Sequence, residues 1–186
     1  MKNQWNVIKL GQILDIENLR EDPPWERGMF KYWGNGNVEY VEKEQIEGSL
    51  ARWMHPKFKD SFYTVKSAVE DVIKEKLYPT YYYDRFYFKN QELTKHTDRG
   101  SCEISVSLHI SSNIDYDWPI FFEVDGKKIS ATLDPGEGIL YKGIELPHWR
   151  DKLIGDKNSY FHQIFFHYVR ANGNYIEHAF DNAQIH

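Results

Sequence analysis

Two side chains that could bind a metal ion, His96 and Asp98, lie two residues apart in the sequence. On an extended chain, residues i and i+2 project from the same face, so an imidazole nitrogen and a carboxylate oxygen can converge on one point. Two histidines and one carboxylate form a common non-haem iron site, which leaves coordination positions open for a co-substrate and oxygen. The spacing therefore predicts two of three metal ligands, with the third contributed by a distant part of the chain.

We predict that His148 is the third ligand, because Pro147 restricts the backbone next to it and helps to hold the imidazole in place. Three other histidines are alternatives. His109 would crowd the neighbourhood of Asp98 and is predicted to line a pocket and form a hydrogen bond. His162 and His167 fall on opposite faces of one predicted strand, so at most one of them points inward.

Arg150 follows His148 by two residues and would share its face on a strand. Its guanidinium could bind a carboxylate through two parallel hydrogen bonds, which a lysine cannot do. The sequence thus combines a predicted metal centre with a cation suited to an acidic ligand.

The composition favours one globular domain rich in β-strands. The chain has 186 residues, 41% hydrophobic and 27% charged, and 16% aromatic residues favour strands. The net charge of −5, without a long basic run, argues against nucleic-acid binding. The lone Cys102 cannot form an internal disulfide, which predicts a reducing, cytoplasmic location. The absence of an apolar signal core and of a long apolar run predicts no membrane association.

The pattern along the chain predicts an N-terminal cover with a supporting helix (1–79), a catalytic core (80–170) and a C-terminal tail (171–186). The helix is predicted over 57–77, capped by Asp60 or Ser61 and ended by Pro79. Many short strands with turn signals follow it. Predicted strands cover residues 7–10, 81–88, 103–110, 120–124, 128–133, 139–141, 148–152 and 159–169. This order favours a sandwich or barrel with helical support.

The predicted strand over 103–110 alternates between apolar and polar residues. Its apolar face carries Ile104, Val106 and Leu108, whereas Ser105 and Ser107 lie on the other face. If the strand lines a pocket, that polar face points into the site.

These residues resemble the iron(II)- and 2-oxoglutarate-dependent dioxygenases, in particular the prolyl-4-hydroxylase-like branch. The resemblance covers about residues 80–170 and rests on His96, Asp98, His148 and the preceding Tyr87. It implies a double-stranded β-helix (jelly roll) in which the two histidines and the aspartate bind Fe(II). It further implies that 2-oxoglutarate chelates the iron and accepts a hydrogen bond from Tyr87, with O2 as oxidant and ascorbate as an accessory reductant.

The chain departs from the family in the cation that holds the distal carboxylate of 2-oxoglutarate. Relatives place an arginine or lysine nine or ten residues after the distal histidine. Lys157 has this spacing but falls in a predicted turn, and the following strand offers no cation on its inward face. We predict that Arg150, assisted by Gln163, is the anchor, with Lys157 as second choice and Arg85 as third.

The implied reaction is hydroxylation of a substrate C–H bond, coupled to decarboxylation of 2-oxoglutarate to succinate. The predicted substrate is a prolyl peptide or a small metabolite, bound by a monomer or homodimer. Residues 25–33 and 113–119 are predicted to cover the barrel mouth and contact it. Arg99 is predicted either to orient substrate or to form a surface ion pair, and Cys102 to be a small buried side chain.

Other functions fit parts of the pattern. A zinc hydrolase could use the same three ligands with Glu103 or Glu145 as general base. A cupin-like binding protein would keep the barrel without turnover, and a structural jelly roll would have no use for a polar inner face. Serine-hydrolase, phosphate-loop and dinucleotide motifs are absent from the sequence.

Overall fold

Two β-sheets pack against each other, and a computed structural model describes residues 5–181 of the chain. The strands are β1 (Val7–Gln12), β2 (Gly28–Tyr32), β3 (Val38–Val41), β4 (Leu50–Trp53), β5 (Leu77–Phe88), β6 (Leu93–His96), β7 (Ile104–Ser112), β8 (Ile120–Val124), β9 (Lys127–Ala131), β10 (Glu137–Tyr141), β11 (His148–Arg150) and β12 (Tyr160–Arg170). One α-helix, α1 (Lys59–Ile73), and three 3-10 helices, Pro56–Phe58, Gly100–Cys102 and Ile176–His178, complete the described elements.

The larger sheet has eight strands in the order β1-β10-β7-β12-β5-β4-β2-β3, and the smaller has four in the order β6-β11-β8-β9. All neighbouring strands are antiparallel except β2 and β4, which are parallel. This arrangement confirms the predicted jelly roll with a supporting helix.

Helix α1 covers the outer face of the larger sheet, as predicted. Phe62, Val65, Val69 and Ile73 recur at helical spacing and pack into the main core with the apolar face of β7. The predicted ends were wrong. The helix begins at Lys59 without a side-chain cap and ends at Ile73, and the next residue, Lys74, adopts the left-handed conformation with φ of 60°.

Pro79 does not end the helix, because it lies inside β5, which begins at Leu77. The proline is the third residue of this long strand and lies next to Phe180. Its carbonyl accepts a hydrogen bond from the backbone N–H of Phe180 at 2.7 Å. This bond ties the residues after β12 back onto the larger sheet.

Strand β7 separates the two environments of the larger sheet. Ile104, Val106 and Leu108 are fully buried in the core beneath the helix. Ser105 and Ser107 are equally buried but face the space between the two sheets. The alternation therefore marks a strand with an apolar helix-facing side and a polar inner side, as the sequence predicted.

Four strands that precede α1 belong to the larger sheet. Strand β1 pairs with β10 at one edge, and β4 pairs with β5 and is followed by β2 and β3. The turn over residues 34–37 joins β2 to β3, in agreement with its Asn-Gly signal. The division of the chain into cover, core and tail remains a prediction.

Candidate metal centre

His96 and His148 face each other across the smaller sheet. Strand β6 ends at His96, β11 begins at His148, and the two residues are direct partners in the antiparallel ladder. Their ring centroids are 4.4 Å apart. Pairing of the two strands therefore fixes the separation of the two imidazoles, even though they are far apart in sequence.

Asp98 brings a carboxylate to the same point. Its Oδ1 lies 3.5 Å from Nε2 of His96 and 3.6 Å from Nε2 of His148. Its backbone N–H donates to the carbonyl of Gly143 at 2.9 Å, which holds the loop after β6 in place. The structure thus brings together the three predicted ligands, and their potential donor atoms all lie within 4.8 Å of one another.

Backbone carbonyls orient both histidines. Nδ1 of His96 donates to the carbonyl of Thr94 at 2.7 Å, and Nδ1 of His148 donates to the carbonyl of Leu146 at 2.9 Å. A carbonyl can only accept, so Nδ1 carries the proton and Nε2 of a neutral ring presents its lone pair toward Asp98. This outer hydrogen bond is typical of histidines that bind metals. The donor set fits a divalent transition metal with three positions left open.

The electrostatics suit a charged carboxylate. Burial raises the pKa of Asp98, but the hydrogen bond that a protonated His96 donates and the positive charge of a protonated His148 outweigh it, so its pKa is below the usual value. Burial lowers the pKa of His148. For His96, burial lowers the pKa, but the bonds to Asp98 and to the Thr94 carbonyl raise it above its ordinary value. At neutral pH the carboxylate is ionised, as metal binding requires.

A second layer of polar residues supports Asp98. Ser105 on β7 donates to Oδ2 of Asp98 at 3.3 Å and contacts Nδ1 of His167 at 2.9 Å. His167 is buried, which lowers its pKa to about 4, so the ring is neutral. Of the two β12 histidines, His167 faces this layer, whereas His162 lies on the other side of the sheet, as expected from the alternation.

Two of the three candidate ligands, His96 and Asp98, open onto a cleft of about 440 Å³. His96 and Asp98 line it on one side, and the aromatic rings of Trp53, Tyr81 and Tyr83 line another. Trp53 stacks on Tyr81 with ring centroids 4.3 Å apart. The cleft therefore offers a flat aromatic wall beside the candidate metal centre.

Several residues that the sequence proposed as co-substrate contacts carry buried polar groups without partners. Four residues proposed from the sequence, Arg85, Tyr87, Arg150 and Gln163, each have at least one buried polar atom that lacks a hydrogen-bond partner within residues 5–181. Gln163 has neither its amide nitrogen nor its oxygen paired. Buried polar groups are almost always paired, so this concentration indicates a place for a polar ligand.

Arg150 is fully enclosed between aromatic rings. Its guanidinium carbon lies 4.7 Å from the ring centre of Trp118 and 4.9 Å from that of Phe161, and Nη1 donates to the Trp118 carbonyl. Burial lowers its pKa to about 10, so it is still charged at neutral pH. Tyr87, on the facing sheet, stacks edge-on against Trp118 at 5.1 Å.

The structure does not bring Lys157 to this space. Lys157 is exposed in the turn before β12, because the chain between β11 and β12 runs over the surface before re-entering the sheet. Lys157 therefore has the sequence spacing of the family's anchoring cation but lies on the surface.

The two segments expected to cover the barrel mouth lie elsewhere for the most part. Within the segment 113–119, residues 114–118 line a different cavity of about 450 Å³, together with His109. Trp25 is fully exposed, and of residues 25–33 only Met29 lines the metal-centre cleft. His109 does form the expected hydrogen bond, from Nδ1 to the carbonyl of Leu133 at 2.8 Å.

Neither candidate general base for a zinc hydrolase lies in the cleft. Glu103 is buried in an ion pair with Arg170 at 2.6 Å, and Glu145 is exposed and pairs with Lys142. Arg99 forms an ion pair with Asp181 at 2.9 Å while also lining the cleft. The zinc-hydrolase hypothesis therefore loses both general bases that the sequence suggested.

Cys102 is buried, and its Sγ forms a hydrogen bond with the hydroxyl of Tyr81 at 2.9 Å. Burial raises the pKa of its thiol to about 12, so the thiol is protonated and unreactive at neutral pH. It is a packed side chain, as predicted.

Several residues of the cleft were missed from the sequence. Tyr83 could have been found, because it shares a face of β5 with Arg85 and Tyr87. Trp53 and Gln45 carry no signal, since their position depends on β4 joining the larger sheet next to β5. Gly143 likewise gives no sign that it lies against Asp98.

In residues 5–181, no helix is both long and apolar enough to cross a bilayer.

Comparison with known proteins gives a structural likeness only. No protein-family model and no curated protein sequence matches the chain. A prolyl hydroxylase from Trichoplax adhaerens, solved with a hypoxia-inducible-factor peptide fragment, aligns over 89% of this chain and 84% of its own, with 13% identity and a TM-score of 0.56. HygX from Streptomyces hygroscopicus, with nickel and 2-oxoglutarate bound, aligns over 67% of this chain and 72% of its own, with 10% identity and a TM-score of 0.53.

A 2-oxoglutarate-Fe(II) oxygenase family member from Burkholderia pseudomallei aligns over 62% of this chain, with 14% identity and a TM-score of 0.51. The alignment spans 56% of the length of that oxygenase. The chain therefore has the fold of 2-oxoglutarate- and Fe(II)-dependent oxygenases, among them the prolyl hydroxylases.

Proposed function

We propose that the protein is an Fe(II)- and 2-oxoglutarate-dependent hydroxylase, in which His96, Asp98 and His148 hold the metal. The observation that carries this proposal is the convergence of Nε2, Oδ1 and Nε2 of these residues beside a cleft. Bound iron would supply the activation of O2, coupled to decarboxylation of 2-oxoglutarate to succinate. The chain's own residues bind and orient both ligands.

Arg150 is the proposed anchor for the distal carboxylate of 2-oxoglutarate. It lies two residues beyond His148 on β11, and a buried guanidinium without a carboxylate partner is costly unless an anion reaches it. Tyr87 and Gln163 also have unpaired buried polar atoms and would hydrogen-bond to the co-substrate. The aromatic rings around Arg150 exclude water, which strengthens the ion pair.

The proposed substrate is a prolyl peptide or a small metabolite. One structural neighbour is a prolyl hydroxylase bound to a peptide fragment, which supports the first choice. The aromatic wall of Trp53, Tyr81 and Tyr83 could accept either a pyrrolidine ring or another flat group.

Anaerobic titration of the metal-free protein with Fe(II) and then 2-oxoglutarate tests the proposal. A weak visible charge-transfer band is expected once both are bound, because the co-substrate chelates the metal. His96→Ala and Asp98→Ala should abolish the band and succinate formation while the circular dichroism spectrum stays unchanged. Iron binding without the band would contradict the co-substrate assignment, and full turnover in either variant would contradict the metal centre.

A further inference from the structure

Arg85 is a second buried cation beside the candidate metal centre. It lies on β5, is 2% exposed and lines the same cleft as His96 and Asp98. Its Nη2 donates to Oε1 of Gln45 at 2.8 Å, whereas Nε and Nη1 have no partner among the described residues. Two donor atoms of a charged group are therefore buried and unpaired beside the cleft.

Two other arginines, the buried Arg52 and the half-buried Arg170, are neutralised by ion pairs. Arg52 pairs with Asp84, and Arg170 pairs with Glu103 at 2.6 Å. Arg85 and Arg150 form no ion pair with a carboxylate in the part of the chain that the structure describes. An isolated buried charge is expensive, so both guanidinium groups are expected to meet an anion.

Glu44 is the other acidic residue on the cleft lining besides Asp98. It lies at the rim, partly exposed, and its Oε2 accepts a hydrogen bond from the backbone N–H of Gly48 at 2.8 Å. It does not reach Arg85 within ion-pair distance. The rim residue Lys43 adds a further positive charge.

A balance of charges separates the roles of the two arginines. Fe(II) with the carboxylate of Asp98 carries one net positive charge, and Arg85 and Arg150 each add one. The co-substrate is a dianion whose two carboxylates are taken by the metal and by Arg150. One positive charge then remains in the cleft, at Arg85, for another ligand.

We infer that Arg85 binds a carboxylate of the substrate to be oxidised, and that the substrate is a small carboxylic acid lying against Trp53 and Tyr83. The inference rests on the proposed function, because it assigns the second carboxylate of 2-oxoglutarate to Arg150. The planar guanidinium suits a carboxylate, and the rings of Tyr83 and Tyr87, 5.3 and 5.6 Å from its carbon, keep it in position. Gln45 holds the remaining side of the group.

Calorimetric titration with phenylacetate and with its neutral analogue phenylacetamide tests this inference. The protein is loaded with Fe(II) and 2-oxoglutarate under anaerobic conditions, so that no turnover occurs. The wild type should bind the acid at least about tenfold more tightly than the amide, because a charge-assisted hydrogen bond is lost in the amide. Arg85→Gln should remove this preference and leave the affinity for 2-oxoglutarate within about threefold.

Arg150→Gln is the matched control. It should keep the preference for the acid while weakening 2-oxoglutarate binding more than about tenfold. Arg85→Lys, which keeps the charge, should retain part of the preference and shows whether loss in Arg85→Gln reflects charge or folding. Equal binding of acid and amide by the wild type, or no binding of either at millimolar concentration, would overturn the inference.

Two outcomes separate the inference from the proposed function. If Arg85→Gln weakens 2-oxoglutarate as much as Arg150→Gln does, Arg85 belongs to the co-substrate and the inference fails while the proposed function stands. If the charge-transfer band is absent but metal-free protein still prefers the acid through Arg85, the proposed function fails and an anion site remains.

Discussion

Gly143 sets how closely the chain can approach the carboxylate of Asp98. A Cβ at this position would lie 2.7 Å from Oγ of Ser105 and closer still to Oδ2 of Asp98 and the carbonyl of Cys102. These atoms are held by hydrogen bonds and by the start of β7, so they cannot simply move aside. The position of the Asp98 carboxylate therefore depends on a residue with no chemistry of its own.

We expect Gly143→Ala to weaken Fe(II) binding by about 10- to 100-fold, the range seen when the support of a metal ligand is lost. The reason is displacement of Asp98, with both histidines left in place. The affinity is measured by anaerobic titration with Fe(II), with tryptophan fluorescence as the signal.

Gly34→Ala is the control for this change, since a Cβ there meets no atom within 4 Å. Its Fe(II) affinity should equal that of the wild type. An unchanged affinity in Gly143→Ala would mean that Asp98 is not held where the structure places it, or does not bind the metal.

At the residue scale, the sequence predicted what local spacing determines. The i, i+2 relation of His96 and Asp98 and the inward face of β7 needed only strand geometry. The position of Lys157 could not be found in this way, because nine residues after His148 can end in a surface turn or on a strand. The contact between Gly143 and Asp98 joins two loops and leaves no pattern in either.

At the element scale, a buried charged cluster joins four segments on the side of the sheet away from the cleft. Arg52 on β4 pairs with Asp84 on β5, Asp84 accepts a hydrogen bond from Nε2 of His162 on β12 at 2.8 Å, and Glu21 reaches Arg52 from the N-terminal loop. Asp84 and His162 are 1% and 0% exposed. The cluster therefore fixes β4 beside β5 and, with it, the aromatic wall of the cleft.

We expect Asp84→Ala to lower the free energy of unfolding by about 3–5 kcal/mol, because Arg52 and His162 lose a buried partner. Urea unfolding followed by circular dichroism measures this change. Glu145→Ala, which removes an exposed ion pair with Lys142, should cost less than about 1 kcal/mol. A loss below about 1 kcal/mol in Asp84→Ala would show that the cluster does not hold the strands together.

The elements show where prediction from sequence ends. The long, strongly patterned elements α1, β7 and β12 were found, with errors only at their ends. The strands β2, β3, β4 and β6 were not assigned, because each has only four or five residues. Their pairing depends on partners distant in sequence, above all the antiparallel contact of β4 with β5.

At the scale of the whole molecule, the N-terminal strands and the later strands share one sheet. Strand β1 pairs with β10, and β4 pairs with β5, so neither can separate without breaking the larger sheet. We expect the predicted single domain to unfold in one cooperative step.

Superimposable urea transitions by far-ultraviolet circular dichroism and by tryptophan fluorescence are the expected result. Trp118, buried between the sheets, and Trp53, in the cleft wall, would report the two halves of the chain. Trp25→Phe should leave both curves unchanged, since Trp25 is fully exposed. Two separated transitions would contradict a single domain and favour an N-terminal unit that folds independently.

The loop over residues 42–49 has a consequence for how this protein could diverge. It connects the edge strand β3 to β4, and it supplies Lys43, Glu44 and Gln45 to the cleft without containing a candidate metal ligand. Exposed connections of this kind tolerate insertions and substitutions better than paired strands do. Duplicated copies of the gene could therefore acquire new ligands by changing this loop alone, while the candidate metal centre is inherited intact.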